Sequence, residues 1–154
     1  MPDPKVATGG PAGYSGTPLA RKLGVVEGSS VVLVNAPEGF EEVLAAPAGA
    51  DVRRRLPPAG RRAVDVAVLF VTDRARLERR FPRVASSLRP AAGFWVAWPK
   101  RSSGVPTDLT ENVVREVGVA NGMVDNKVCA VTDVWSGLRL VYRLVDRPRL
   151  EAAQ

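Results

Sequence analysis

The stretch Gly93-Phe-Trp-Val-Ala-Trp-Pro-Lys-Arg-Ser-Ser-Gly-Val-Pro-Thr-Asp-Leu-Thr-Glu111 decides how this chain is read. Residues 94–98 are aromatic and apolar without interruption, the composition of a strand covered on both faces. Residues 99–107 are polar and broken by proline and glycine, which predicts a loop. Asp108 and Glu111 then stand three apart, as in a capping box with Asp in place of Ser or Thr. Leu109, Val113, Val114 and Val117 behind them mark one apolar face at helical spacing. Strand, loop and capped helix in that order are the repeating unit of an α/β sheet.

Working outward, residues 30–35 and 64–71 are two further apolar runs that read as buried strands, the second interrupted by Asp65. Thr17 to Gly24 predicts a short helix, with Thr17 as N-cap, Pro18 in the first turn and Gly24 at the left-handed end. Residues 40–46 suit a second short helix, and residues 50–54 a weak strand. Asp73 caps a helix carrying Leu77 and Phe81, which Pro82 should break. Residues 123–131 and 138–145 read as an antiparallel hairpin joined through residues 132–137. The link from Arg54 to Val64 is too short for a crossover helix. The expected fold is therefore α/β, a reduced Rossmann-like, mostly parallel sheet flanked by helices and closing in a C-terminal antiparallel hairpin. It occupies residues 14–146 as a single domain, between an N-terminal tail (1–13) and a C-terminal one (147–154).

Composition narrows the chemistry. The 154 residues are 45% hydrophobic and 25% charged, as in a soluble globular protein, and no apolar run approaches the length of a membrane span. The N-terminus lacks the apolar core of a secretory signal, so a cytoplasmic location is expected. There is no histidine and a single cysteine, Cys129. Imidazole bases, Ser-His triads, thiolate clusters and internal disulfides are thereby excluded, and no metal site is expected. The net charge of +6 comes from arginines spread over the chain, which leaves nucleic-acid binding as an alternative.

Ligands of open parallel sheets bind beyond the carboxyl ends of the strands. That rim should gather Tyr14, Ser15 and Thr17, Asn35 and Glu38, Asp73, then Trp98, Lys100, Ser102, Ser103 and Asp108, and the hairpin residues Trp135 and Ser136. Lys100, beside two serines and near helix N-termini, suits an anionic group. Each residue also has a plain structural explanation: Asp108, Glu111 and Thr17 as caps, the tryptophans as core, Asn35-Ala-Pro as a turn.

Residues 14–24 (YSGTPLARKLG), Trp98-Pro-Lys, residues 106–111 (PTDLTE) and Asp133-x-Trp-Ser-Gly-Leu-Arg-Leu-Val141 together resemble a bacterial family known as a domain of unknown function (DUF3052-type). In fold, the order of elements resembles a small Rossmann-like methyltransferase core, with Leu88-Arg-Pro-Ala-Ala-Gly93 similar to the Leu-Lys-Pro-Gly-Gly stretch ahead of a late strand there. Such enzymes carry Gly-x-Gly-x-Gly after the first strand and an acidic residue after the second. This chain has Asn35-Ala-Pro-Glu-Gly39 and Arg53-Arg54-Arg55 instead, so S-adenosylmethionine and NAD are disfavoured and no cofactor is expected. The resulting expectation is a non-catalytic binding or regulatory module for a small anionic ligand or a protein partner. The alternatives are a small-molecule enzyme using the rim, with Lys100 as anion clamp and Glu38 or Asp73 as base, and a nucleic-acid binder using the arginines of 53–62 and 74–83.

Overall fold

In the computed structural model, which describes residues 6–10 and 16–152, six strands form one sheet in the order β2-β1-β3-β4-β6-β5. The strands are β1 (Ser30–Val34), β2 (Asp51–Arg53), β3 (Val64–Phe70), β4 (Leu88–Pro99), β5 (Met123–Ala130) and β6 (Trp135–Tyr142). Strands β2, β1, β3 and β4 pair in parallel, while β6 pairs antiparallel with both β4 and β5. The mixed α/β sheet with a closing hairpin is thus the expected one.

Alternation along the strands builds two cores. Val32, Val34, Ala67, Leu69, Phe94, Val96 and Trp98 face α3 (Arg74–Ala85), α4 (Glu111–Ala120) and α5 (Arg147–Ala152). Val31, Leu33, Val66, Val68, Phe70, Trp95 and Ala97 face α1 (Leu19–Leu23) and α2 (Phe40–Leu44). Trp95 is fully buried and its indole N–H donates to the carbonyl of Leu23, which ties α1 to the middle of the sheet. Asp65, the polar residue inside an apolar strand, accepts the Ser30 N–H at 2.8 Å and pairs with Arg89. No helix among the described residues is long and apolar enough to cross a membrane.

Several local expectations are corrected. Pro82 lies inside α3 without ending it. It sits on the solvent face beside exposed Glu78, so the carbonyl that loses its donor is on the wet side of the helix. Thr110, not Asp108, caps α4, its hydroxyl accepting the Val113 N–H. At α1 the capping position belongs to Pro18, one residue beyond Thr17. Trp135 and Ser136 are not turn residues: they open β6, opposite Pro99 and Trp98 of β4. Strand β4 begins six residues before Phe94, because a register shift against β3 accommodates Pro90 where β6 does not yet reach.

The link from β2 to β3 carries no helix, as expected, and arginines hold it down. Arg62 donates to the carbonyls of Ala85 and Leu88 and lies 5.4 Å from the centre of the Tyr142 ring; Arg83 donates to the carbonyl of Pro57.

Close packing at the β4–β6 pair leaves no room for a side chain at Gly137, whose Cβ would lie 2.8 Å from Val131 Cγ2 and 3.1 Å from the Trp95 ring. Gly137→Ala should lower stability by about 1–3 kcal/mol, seen as a lower urea midpoint with an unchanged slope.

Candidate functional site

Strand order reverses between β1 and β3. The chain leaves β1 through α2 toward β2 on one side, and leaves β3 through α3 toward β4 on the other. A crevice must open where the two exits part, beyond the carboxyl ends of the strands. A cavity of about 830 Å³ lies there, lined by Asn35, Glu38 and Gly39 of the β1–α2 loop, Glu42 of α2, Thr72 after β3, and Trp135. Val6, Ala7 and Thr8 form its outer wall.

The loop makes this space with an unusual backbone. Asn35 adopts φ 60° and Gly39 φ 81°, both left-handed. Asparagine tolerates that region better than most residues, and here its side-chain amide donates to the Phe70 carbonyl at 3.0 Å, bridging the two strand ends. Gly39 then opens α2. Below the cavity an aromatic chain fixes the floor: Phe40 meets Phe70 edge-on at 4.9 Å, and Phe70 meets Trp135 at 5.0 Å.

Arg54, just past β2, braces the loop from the side. Its guanidinium grips both carboxylate oxygens of Glu41, at 2.7 and 2.8 Å, and donates to the carbonyls of Ala36 and Pro37. The hydrogen bond from Arg54 is the main reason the Glu41 carboxyl is held below its usual range. Glu38 and Glu42 are exposed and bring further negative charge to the cavity.

A second cavity, of about 490 Å³, lies further along the rim between Trp98-Pro99 and the segment leading into α4. Arg101, Thr107, Asp108 and Thr110 line it. The walls of the two cavities are tied together, since the Thr107 hydroxyl of the second donates to the carbonyl of Thr72 in the first at 2.6 Å.

Of the residues expected at the site, Asn35, Glu38 and Trp135 line the first cavity, and Trp98 and Asp108 the second. Asp73, Lys100, Ser102, Ser103, Ser136 and Thr17 line neither, and Tyr14 and Ser15 lie outside the described residues. Asp73 is occupied as N-cap of α3, accepting the Arg76 N–H. Asp108 accepts the Arg74 N–H at that same helix end, so it joins α3 to the loop before α4. Ser103 closes a tight turn on the Lys100 carbonyl. Lys100 is half-buried, with its backbone N–H bonded to Val134. Thr72 follows β3 at the expected edge, whereas sequence reasoning missed Glu42, Arg54 and residues 6–8 as parts of the site. The left-handed pair around Ala36-Pro37 was the available signal for the loop; nothing in the sequence marked residues 6–8.

Several arginines of the arginine-rich segments are engaged in contacts within the chain. Besides Arg54, Arg62 and Arg83, Arg74 pairs with Glu78 and Glu116, and Arg76 with Asp73.

No protein-family model matches the sequence, and no curated protein matches it either. Solved structures do match. A SAM-dependent methyltransferase from Aquifex aeolicus superposes with a TM-score of 0.57 at 15% identity, over 79% of this chain and 86% of that one. The magnesium protoporphyrin IX methyltransferase of Synechocystis PCC 6803 with bound SAM gives a TM-score of 0.53 at 10% identity, over 81% and 74%. The same enzyme with bound SAH gives 0.50 at 10% identity, over 81% and 78%. The likeness establishes a Rossmann-like, methyltransferase-like fold.

Two expectations are corrected by these matches. The similar structures are methyltransferases, one holding SAM and one SAH, which overturns both the preference for a non-catalytic module and the disfavouring of S-adenosylmethionine. The physical reason lies in the loop. Residues 35–39 bend away from the strand ends through Asn35 and Gly39 without a triple-glycine turn, and the cavity has carboxylates from Glu38 and Glu42 although Arg54 follows β2.

The Arg54–Glu41 pair gives a pH-dependent contribution of a definite sign. A carboxyl whose folded pKa is depressed stabilises the fold above its unfolded value and loses that contribution as pH falls through the folded one. The pair is half-exposed, so screening limits it to no more than about 1 kcal/mol. Arg54→Gln should therefore lower the denaturation midpoint slightly at pH 7, and the difference from wild type should shrink on acidification below the ordinary carboxylate range, leaving the part due to the Ala36 and Pro37 carbonyls.

Proposed function

We propose that this chain is a small-molecule methyltransferase that uses S-adenosylmethionine at the switch-point cavity. The observation that carries the reading is the cavity itself. It sits at the crevice between β1 and β3, and its volume of about 830 Å³ falls in the range of small-ligand sites.

The donor set suits the cofactor's chemistry. S-adenosylmethionine carries a sulfonium and an ammonium, and this cavity presents the acceptor carboxylates Glu38 and Glu42 beside the apolar surfaces of Ala36 and Trp135. Glu42 and Glu38 are the residues that would hold the cationic and hydroxyl groups, and Trp135 would bound the ring system. When bound, the cofactor supplies a methyl group activated by its positive sulfur. The protein's own part is positional. Arg54 and Glu41 pin the β1–α2 loop, Asn35 bridges the two strand ends, and the aromatic floor excludes water from below.

The acceptor is placed in the second cavity. Arg101 at its lining, with Lys100 next in the chain, supports an anionic acceptor, and the apolar lining from Trp98, Val105 and Leu109 supports an apolar body. Membership of the DUF3052-type family, suggested by residues 14–24, 98–100, 106–111 and 133–141, and a cytoplasmic single-domain protein, are parts of the same proposal.

Calorimetric titration with S-adenosylmethionine and with S-adenosylhomocysteine tests it directly. We expect saturable binding at one ligand per chain, weakened about tenfold by Glu42→Gln, which corresponds to the roughly 1.4 kcal/mol of one charge-assisted hydrogen bond. Absence of binding by either compound at millimolar concentration, with the protein folded, would overturn the reading.

A further inference from the structure

The outer wall of the switch-point cavity comes from far away in the sequence. Residues 6–10 run across the rim and are hydrogen-bonded to it through Ala7, Thr8 and Gly10. The Trp135 indole N–H donates to the Ala7 carbonyl at 3.0 Å, and the Thr132 hydroxyl to the Thr8 carbonyl at 2.7 Å. Gly10 and Asp133 exchange two bonds: the Gly10 N–H donates to Asp133 Oδ1 at 2.7 Å, and the Asp133 N–H to the Gly10 carbonyl at 3.0 Å. From the other side the Thr8 hydroxyl donates to the Glu38 carbonyl at 2.6 Å, so the segment spans from the hairpin turn to the β1–α2 loop. Val6 packs against the core cluster that contains Trp135.

Two details indicate a built receptor rather than a loose tail. Thr132 is fully buried, accepts the N–H groups of Val134 and Trp135, and gives its single O–H to Thr8, so with the segment in place its hydrogen-bonding capacity is fully used. Gly9 has φ +84°, and a Cβ there would lie 2.7 Å from Thr132 Oγ1 and closer still to Asp133 Oδ1. Only glycine brings the backbone this near.

We propose that residues 6–10 are a strap that completes the ligand cavity, with Thr132 and Asp133 as its positioning residues, and that strap docking and cavity occupancy are linked. Ordering a short segment costs about what its hydrogen bonds return, so docking stands near balance. A ligand held in a cavity walled by Val6, Ala7 and Thr8 favours the docked state, and by reciprocity the docked state favours the ligand. The strap thereby sets access to the cavity as well as affinity.

The test uses the full chain with Cys129→Ser, so that a cysteine introduced by Thr72→Cys reports on the cavity by its rate of alkylation. Releasing the strap with Gly9→Ala should raise that rate several-fold, and Asp133→Ala should do the same by removing the receptor instead. Both variants should keep the wild-type far-ultraviolet circular dichroism. Unchanged alkylation in both overturns the proposal, and this arm requires no ligand. The second arm rests on the function proposed above: S-adenosylhomocysteine should bind about tenfold more weakly to Gly9→Ala than to the parent chain. Equal or tighter binding would make the strap a bystander or a competitor and would also overturn the linkage. If the parent chain binds no S-adenosylhomocysteine at all, the methyltransferase reading fails while the alkylation rates still decide the strap.

Discussion

Strands β1 and β3 lie side by side, yet the chain leaves them in opposite directions, and the rest of the structure depends on that divergence. Their pairing runs from Val31 opposite Val66 to Val34 opposite Leu69, and beyond it the backbone divides toward α2 on one face and α3 on the other. That divergence leaves a crevice at the strand ends. Its nearest bridge is a single side-chain bond, from Asn35 to the Phe70 carbonyl, made possible by a left-handed Asn35. A conformation of this kind carries strain, and strained residues are tolerated where the surrounding structure holds them in place. Here the β1 end, the aromatic floor and the Arg54 brace all do so.

Around this crevice a small chain closes its site with groups borrowed from elsewhere. Arg54 stands where the resemblance to methyltransferases implies an acid, and it spends its guanidinium on Glu41 and two loop carbonyls. Arg62 and Arg83 replace a crossover helix by tying the β2–β3 link to α3 and Tyr142. An excess of positive charge that reads in composition as a surface property is therefore partly internal carpentry. Arginine suits the task because one planar fork satisfies several acceptors at once.

Charge is unevenly spread along the rim, although Arg54 also lines the first cavity and Asp108 the second. Glu38, Glu41 and Glu42 cluster at the first cavity, while Lys100 and Arg101 lie by the second, with Thr72 and Thr107 at the boundary. A cationic cofactor and an anionic acceptor would each meet complementary charge on such an edge. This arrangement arises from residues on three separate connections.

The elements themselves were legible in the chain. Uninterrupted apolar runs identified β1, β3 and the core of β4, because a strand buried on both faces has no polar side to show. The hairpin and the absent crossover helix followed from spacing alone. What the sequence could not determine was partnership. Asp108 and Glu111 match a capping box, but Asp108 instead accepts the Arg74 N–H at the start of α3, beside that helix's own N-cap Asp73, leaving α4 to Thr110. Trp135 and Ser136 resemble a turn because glycine follows them, yet pairing with Trp98 and Pro99 extends β6 through them. The cavity's outer wall was wholly invisible, since residues 6–10 have the composition of a tail. Their place is decided by Thr132, Asp133 and Trp135, more than a hundred residues later, and contacts at that separation leave no local pattern to read.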